Sequence, residues 1–116
     1  MRIAWQFTRK WQIEMTDERL IDLDAYQLQM VKEIINRHIP NKKVWVYGSR
    51  ITQEAWETSD LDLVVFDCNA DEIYDLRESF SESDVLVSID VMDWENIPDS
   101  FKENIKRKYV VLQDGG

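Results

Sequence analysis

Strands alternating with helices along 116 residues predict a small α/β domain (an α+β arrangement), with helices packed on a mixed or parallel sheet. Three observations carry this. Short runs rich in β-branched and aromatic residues recur, at Val44-Trp45-Val46-Tyr47, Asp60 to Phe66, Val85 to Met92 and Tyr109-Val110-Val111-Leu112. The stretches between them have helical period and helix-start signals. Proline and glycine are scarce, with 2 and 3 residues, while 44% of the chain is apolar, so the sequence can fill one core and does not read as disordered.

Taken in order, residues 1–16 show no clear period and hold Trp5, Phe7 and Trp11; Met15 stands just before the first organised segment. They are expected to form an N-terminal extension, with the working domain over 17–116; the alternative is an added edge strand or tryptophans packed on the domain. Asp24 with Gln27 three residues later gives a capping-box-like helix start, and Leu28, Val31, Ile34, Ile35 and Ile39 follow at helical spacing until Pro40-Asn41. The first strand, 44–47, is broken by Gly48-Ser49, and residues 50–57 are expected to form a short helix or helical turn. The second strand spans 60–66. Asn69 with Glu72 starts a helix through about Phe80. The third strand, 85–92, puts Val85, Val87, Ile89 and Val91 on one face. Pro98-Asp99-Ser100 prepares a last helix over about 101–108, and the fourth strand covers 109–112.

Net charge is −9, which repels a nucleic-acid backbone, so direct nucleic-acid binding is not expected. Residues 1–16 carry a net +2 from Arg2, Arg9 and Lys10 against Glu14; the remaining hundred residues carry −11. An acidic domain that binds a triphosphate needs cations as mediators, and an acidic face can also meet a basic protein partner. No stretch approaches the roughly 20 apolar residues of a membrane span. Cys68 is the single cysteine, which excludes an internal disulfide and fits a cytoplasmic setting.

The chemistry concentrates in two segments, Val44 to Arg50 and Ser59 to Phe66. On a strand Asp60 and Asp62 point to one face, about 7 Å apart along the backbone, with Leu61 and Leu63 on the other. Two like charges beside a core call for compensation, and Mg²⁺ with hard oxygen ligands is the economical one. Gly48 lets the chain turn sharply and lets a phosphate approach; Ser49 offers a hydroxyl and begins a helix whose positive end suits anions; Arg50 can fork onto a phosphate. Asp90, lying with Leu86, Ser88 and Met92, is expected as a third, buried acid on a neighbouring strand. In a two-metal site the ions lie about 3.5–4 Å apart. Asp60 and Asp62 would bridge both, and Asp90 would ligate the one nearest the acceptor hydroxyl.

Gly48-Ser49, ten residues, then Asp60-Leu61-Asp62 resembles the signature of polymerase-β-type nucleotidyltransferases. The short length and the Arg50 after Gly-Ser are similar to the minimal nucleotidyltransferases (MNT proteins). The likeness spans roughly 17–113 in layout, with Asp90 where the third acid belongs. It implies a palm-like fold, Mg–ATP or another nucleoside triphosphate as substrate, Gly48, Ser49 and Arg50 on the triphosphate, and Asp60, Asp62 and Asp90 on two Mg²⁺ ions. It also implies an antitoxin role beside a small helical HEPN-family toxin, in some members by placing AMP on a partner tyrosine. The strand at 109–112 is followed by four residues, so the acceptor is expected to bring its own surface. The competing expectations are an antitoxin acting by contact alone, and nucleotidyl transfer to a small molecule such as an aminoglycoside.

Other residues read as structural. His38 suits a helix C-terminus, and Cys68 is a boundary residue without a basic partner. Tyr26 and Tyr47 are expected to be packing residues, and the tryptophans to serve the core and an interface rather than a base-stacking platform. Lys106, Arg107 and Lys108 form the solvated end of the last helix.

Overall fold

The computed structural model describes residues 17–115. The expected 1–16 extension lies outside them. After a single 3₁₀ turn at Glu18–Leu20, the elements are α1 (Ala25–His38), β1 (Val44–Tyr47), α2 (Ser49–Thr52), β2 (Leu61–Val65), α3 (Ala70–Ser81), β3 (Ile89–Asp93), a second 3₁₀ turn (Trp94–Asn96), α4 (Asp99–Arg107) and β4 (Val110–Gln113). The four strands lie in the order β3-β2-β1-β4. β1 runs antiparallel to both of its neighbours, while β2 and β3 are parallel. The sheet is therefore mixed, as the sequence allowed.

Strand alternation divides the core in two. Val44, Val46, Leu61, Leu63, Val65, Val91 and Val110 face α1 and α3 and pack on Val31, Ile35, Ile73 and Leu76. Full burial of each such side chain contributes roughly 1.5–3 kcal/mol. The opposite face carries Trp45, Tyr47, Val64, Phe66 and Val111 under Ile97 and Ile105. Trp45 stacks on Tyr109 with ring centroids 3.8 Å apart and meets Phe66 edge-on at 4.7 Å. Its Nε1 is buried with no acceptor among the described residues, so packing rather than hydrogen bonding anchors this ring.

Local signals explain the helix starts. The Asp24 side chain accepts from the Tyr26 and Gln27 N–H groups. Gln27 does not return that bond. Its Oε1 accepts instead from Leu86 N, 2.7 Å away, and holds the segment before β3. The Asn69–Glu72 capping box is complete in both directions, at 2.8 and 2.9 Å. On the outer edge of the sheet, Arg77 from α3 donates to the Val91 carbonyl at 2.6 Å, which blunts β3 against pairing with another chain.

Three expectations need correction. β3 begins at Ile89, not Val85, because the ladder starts where β2 does: Leu61 pairs with Ile89, preceded only by the bond from Leu61 N to Ser88 O. Residues 85–88 have no β2 residue to pair with. Tyr26 is not a packing residue but is exposed in the first turn of α1. The helical turn after Gly48 closes within four residues. No helix among the described residues is long and apolar enough to cross a membrane.

Candidate active site

The end of β1 and the starts of β2 and β3 meet at one end of the sheet. Tyr47 pairs with Asp62, and Asp62 pairs with Asp90. Adjacent strands lie about 4.8 Å apart, so the two acids stand side by side. They share the sheet face that α4 covers only further along, over Val64 and Phe66. Asp62 is half-buried, Asp90 is exposed on the edge strand, and Asp60 is exposed just before β2. The expected burial of Asp90 is therefore corrected: β3 is an edge strand, and the Leu86-Ser88-Asp90 side of this segment looks into solvent.

Electrostatics single out Asp62. Burial, then the Asp90 and Asp60 carboxylates, push its pKa up from 3.8 to about 6. Burial and the same Asp62 and Asp90 charges raise the Tyr47 hydroxyl well above its ordinary value, so it stays a neutral phenol. No described Lys or Arg pairs with Asp60, Asp62 or Asp90.

Gly48 completes the corner. Its φ of 84° lies in the left-handed region, and a side chain there would run into the Asp62 carboxylate, with Cγ only 3.2 Å from an ideal Cβ. The bend and the acid are thus in van der Waals contact. Ser49 is half-buried, and its hydroxyl bonds to no other described residue. The helix it opens is a single turn, so any hold on phosphate comes from local N–H groups and the hydroxyl rather than from an extended helix dipole.

Arg50 is placed otherwise than expected. The residue is 6% exposed, and its guanidinium is directed into main-chain carbonyls. Nη1 donates to Asp22 O at 2.7 Å, Nε and Nη2 to Ser59 O at 3.1 and 2.8 Å, and Nη2 also approaches the Trp56 and Glu57 carbonyls. In return, Asp22 N donates to Arg50 O at 2.6 Å. The side chain is a clasp that fixes the loop leading to Asp60, with its N–H groups committed to main-chain carbonyls.

The donors fit a divalent cation in kind: hard oxygens, unpaired with any Lys or Arg among the described residues, with Asp62 disfavoured as a bare anion. They do not form a finished cage, because no three acid, His or Cys side chains among the described residues are gathered to hold a metal. Asp62 with a neighbour would supply part of a shell that Mg²⁺ commonly completes with phosphate oxygens and water.

A family model described as polymerase beta, nucleotidyltransferase matches residues 29–114. The chain belongs to this family. It is also 36% identical over 106 residues to the probable protein adenylyltransferase MntA of Haemophilus influenzae, an alignment covering 86% of this chain and 90% of that one. A solved structure of a presumed nucleotidyltransferase from Sulfolobus solfataricus aligns with TM-score 0.45 and 23% identity over 74% of this chain and 78% of that one. The nucleotidyltransferase domain takes in α1 from Gln29 and all four strands. It is a minimal nucleotidyltransferase, and its fold is the small mixed sheet with helices that the sequence implied.

Tyr47 is the site residue that sequence reasoning passed over. It reads as one more apolar strand residue, and only the pairing with Asp62 brings it to the acids.

Proposed function

We propose that this domain transfers a nucleoside monophosphate, AMP from ATP, to a side chain of a partner protein, and that the partner is a small helical HEPN-type toxin which it neutralises. The observation that carries the reading is the Gly48 bend pressed against Asp62, beside Asp90, with no Lys or Arg among the described residues paired to these acids. The similarity to a protein whose name is probable protein adenylyltransferase supports AMP and a protein acceptor.

In this reading Gly48 and Ser49 hold the phosphate chain against the sheet end. Asp60, Asp62 and Asp90 would hold up to two Mg²⁺ ions, which would neutralise the phosphates and polarise the reacting oxygens. An acceptor hydroxyl oxygen bonds the α-phosphorus as the bond to pyrophosphate breaks. Asp90, on the open edge strand, faces the incoming acceptor and receives or relays its proton. The neutral Tyr47 walls the site without adding charge.

The test is label transfer from α-labelled ATP to the partner in Mg²⁺. The double variant Asp60→Asn, Asp62→Asn should abolish transfer while leaving the complex intact. Persistent transfer would remove these acids from the chemistry. Loss of transfer with full neutralisation of the toxin would instead mean that contact alone does the neutralising.

A further inference from the structure

Three of the most exposed large apolar side chains stand on segments tied together around the acids. Tyr26 is 73% exposed, Trp56 79% and Leu86 85%. Arg50 joins the chain before α1, at Asp22, to the Trp56–Ser59 turn. Leu61 N binds Ser88 O, which joins the start of β2 to the Leu86 segment. Gln27, next to Tyr26, holds Leu86 N. The Trp56 turn is closed twice more, by Trp56 N to Ser59 Oγ at 2.9 Å and Ser59 N to Trp56 O at 3.0 Å. These apolar groups are therefore held out on a rim of segments fastened to one another, and exposed apolar groups set together among polar ones mark an interaction surface, whereas scattered single ones do not.

The charge of the rim says what would cover it. Within residues 22–27, 54–60 and 84–90, Asp22, Asp24, Glu54, Glu57 and Asp84 join Asp60 and Asp90, all exposed, and there is no Lys, Arg or His. Such a field repels nucleic acid and acidic protein surfaces and attracts cationic ones. A small polycation would satisfy the acids and leave the aromatic and aliphatic groups bare. A polypeptide with basic residues around apolar anchors satisfies both.

From this we infer that the rim of Tyr26, Trp56 and Leu86 is the docking surface for a basic, apolar-anchored segment of the protein acceptor, which it presents to the site beside Asp90. The inference rests on the acceptor being a protein, as proposed above. Trp56 and Leu86 act by positioning: they touch the acceptor chain and not the reacting atoms.

The experiment uses the full-length chain without ATP, so that docking is read apart from chemistry. Fluorescein-labelled peptides of Lys and Leu with one Tyr, of Lys and Gly with one Tyr, and of Glu and Leu are titrated by anisotropy. The Lys–Leu peptide should bind most tightly, and added salt should weaken it. The double variant Trp56→Ser, Leu86→Ser should weaken it about tenfold or more, as for central interface anchors. Tyr74→Ser, exposed on α3 away from the rim, serves as the matched surface control and should leave binding unchanged. Equal binding of the Lys–Gly peptide, undiminished binding by the double variant, or displacement of the peptide by spermine at equal affinity would overturn the inference. So would cross-links from a photoreactive residue 56 that reach only residues 1–16 of the same chain. Peptide binding as expected with no label transfer in Mg–ATP would keep the docking surface and sink the transfer reading.

Discussion

Replacing Asp62 with Asn should make the metal-free domain more stable at neutral pH, although it removes a residue proposed to be essential. The folded protein raises this carboxyl from 3.8 to about 6, so at pH 7 it holds a charge that burial and two neighbouring carboxylates oppose. In full, that displacement corresponds to about 3 kcal/mol. Because the group is only half-buried, solvent screening reduces the expected gain to about 1–1.5 kcal/mol. For a domain of this size that is a rise of about 4–10 °C in Tm. The pH dependence has a definite sign. A folded-state pKa above the unfolded value means that the folded state retains the proton between about pH 4 and 6. The wild type should therefore gain stability from this group as pH falls from 7 through 6 toward 4, and Asp62→Asn should lack that contribution. Thermal unfolding in EDTA across this range measures both. A variant less stable than wild type at pH 7 in EDTA would show that the carboxylate is compensated within the protein, and the argument for a cation at this corner would fail.

Other outcomes follow from the same geometry. Arg50→Ala should cost about 2–4 kcal/mol through the carbonyls it leaves unbonded, and Arg50→Lys should recover little of it because a point charge cannot span Asp22 and Ser59 together. Urea unfolding measures this; a variant of native stability with weakened ATP binding would return Arg50 to a phosphate role. Gly48→Ala should lose Mg–ATP binding and about 1–3 kcal/mol of stability, from a positive φ and overlap with Asp62; normal ATP binding by calorimetry would separate the bend from the nucleotide site. Burial, then Glu72, pushes the Cys68 thiol up to about 11, so iodoacetamide at pH 8 should label the folded protein far more slowly than a free thiol. Rapid labelling of the folded chain would contradict that burial.

What the sequence revealed and what it hid divide along physical lines. Signals that act over a few residues were legible: Asp24 at the start of α1, the reciprocal Asn69–Glu72 cap, and the alternation that sends Leu61 and Leu63 one way and Asp62 the other. The Gly48-Ser49 and Asp60-Leu61-Asp62 spacing pointed to the family, and the corner where Gly48 meets Asp62 agrees with it. The misreadings concern long side chains and partners distant in sequence. A guanidinium after a turn reaches equally well toward a ligand or inward, and only the arrival of the Trp56–Ser59 turn decides for Arg50. Residues 85–88 alternate like a strand, but pairing is set by where β2 begins. Gln27 has the spacing of a cap, yet Leu86 N, remote in sequence, is the donor it meets.

The grip of Arg50 on main-chain oxygens has a consequence for variation within such domains. Carbonyls are common to every amino acid, so apart from the Ser59 hydroxyl that closes the turn, the path of the 56–59 segment depends little on which side chains it carries. Its outward-facing letters can be rewritten one by one without disturbing the neighbouring corner. A scaffold so arranged can follow a changing client by editing its outer coat while the interior machinery stays in register.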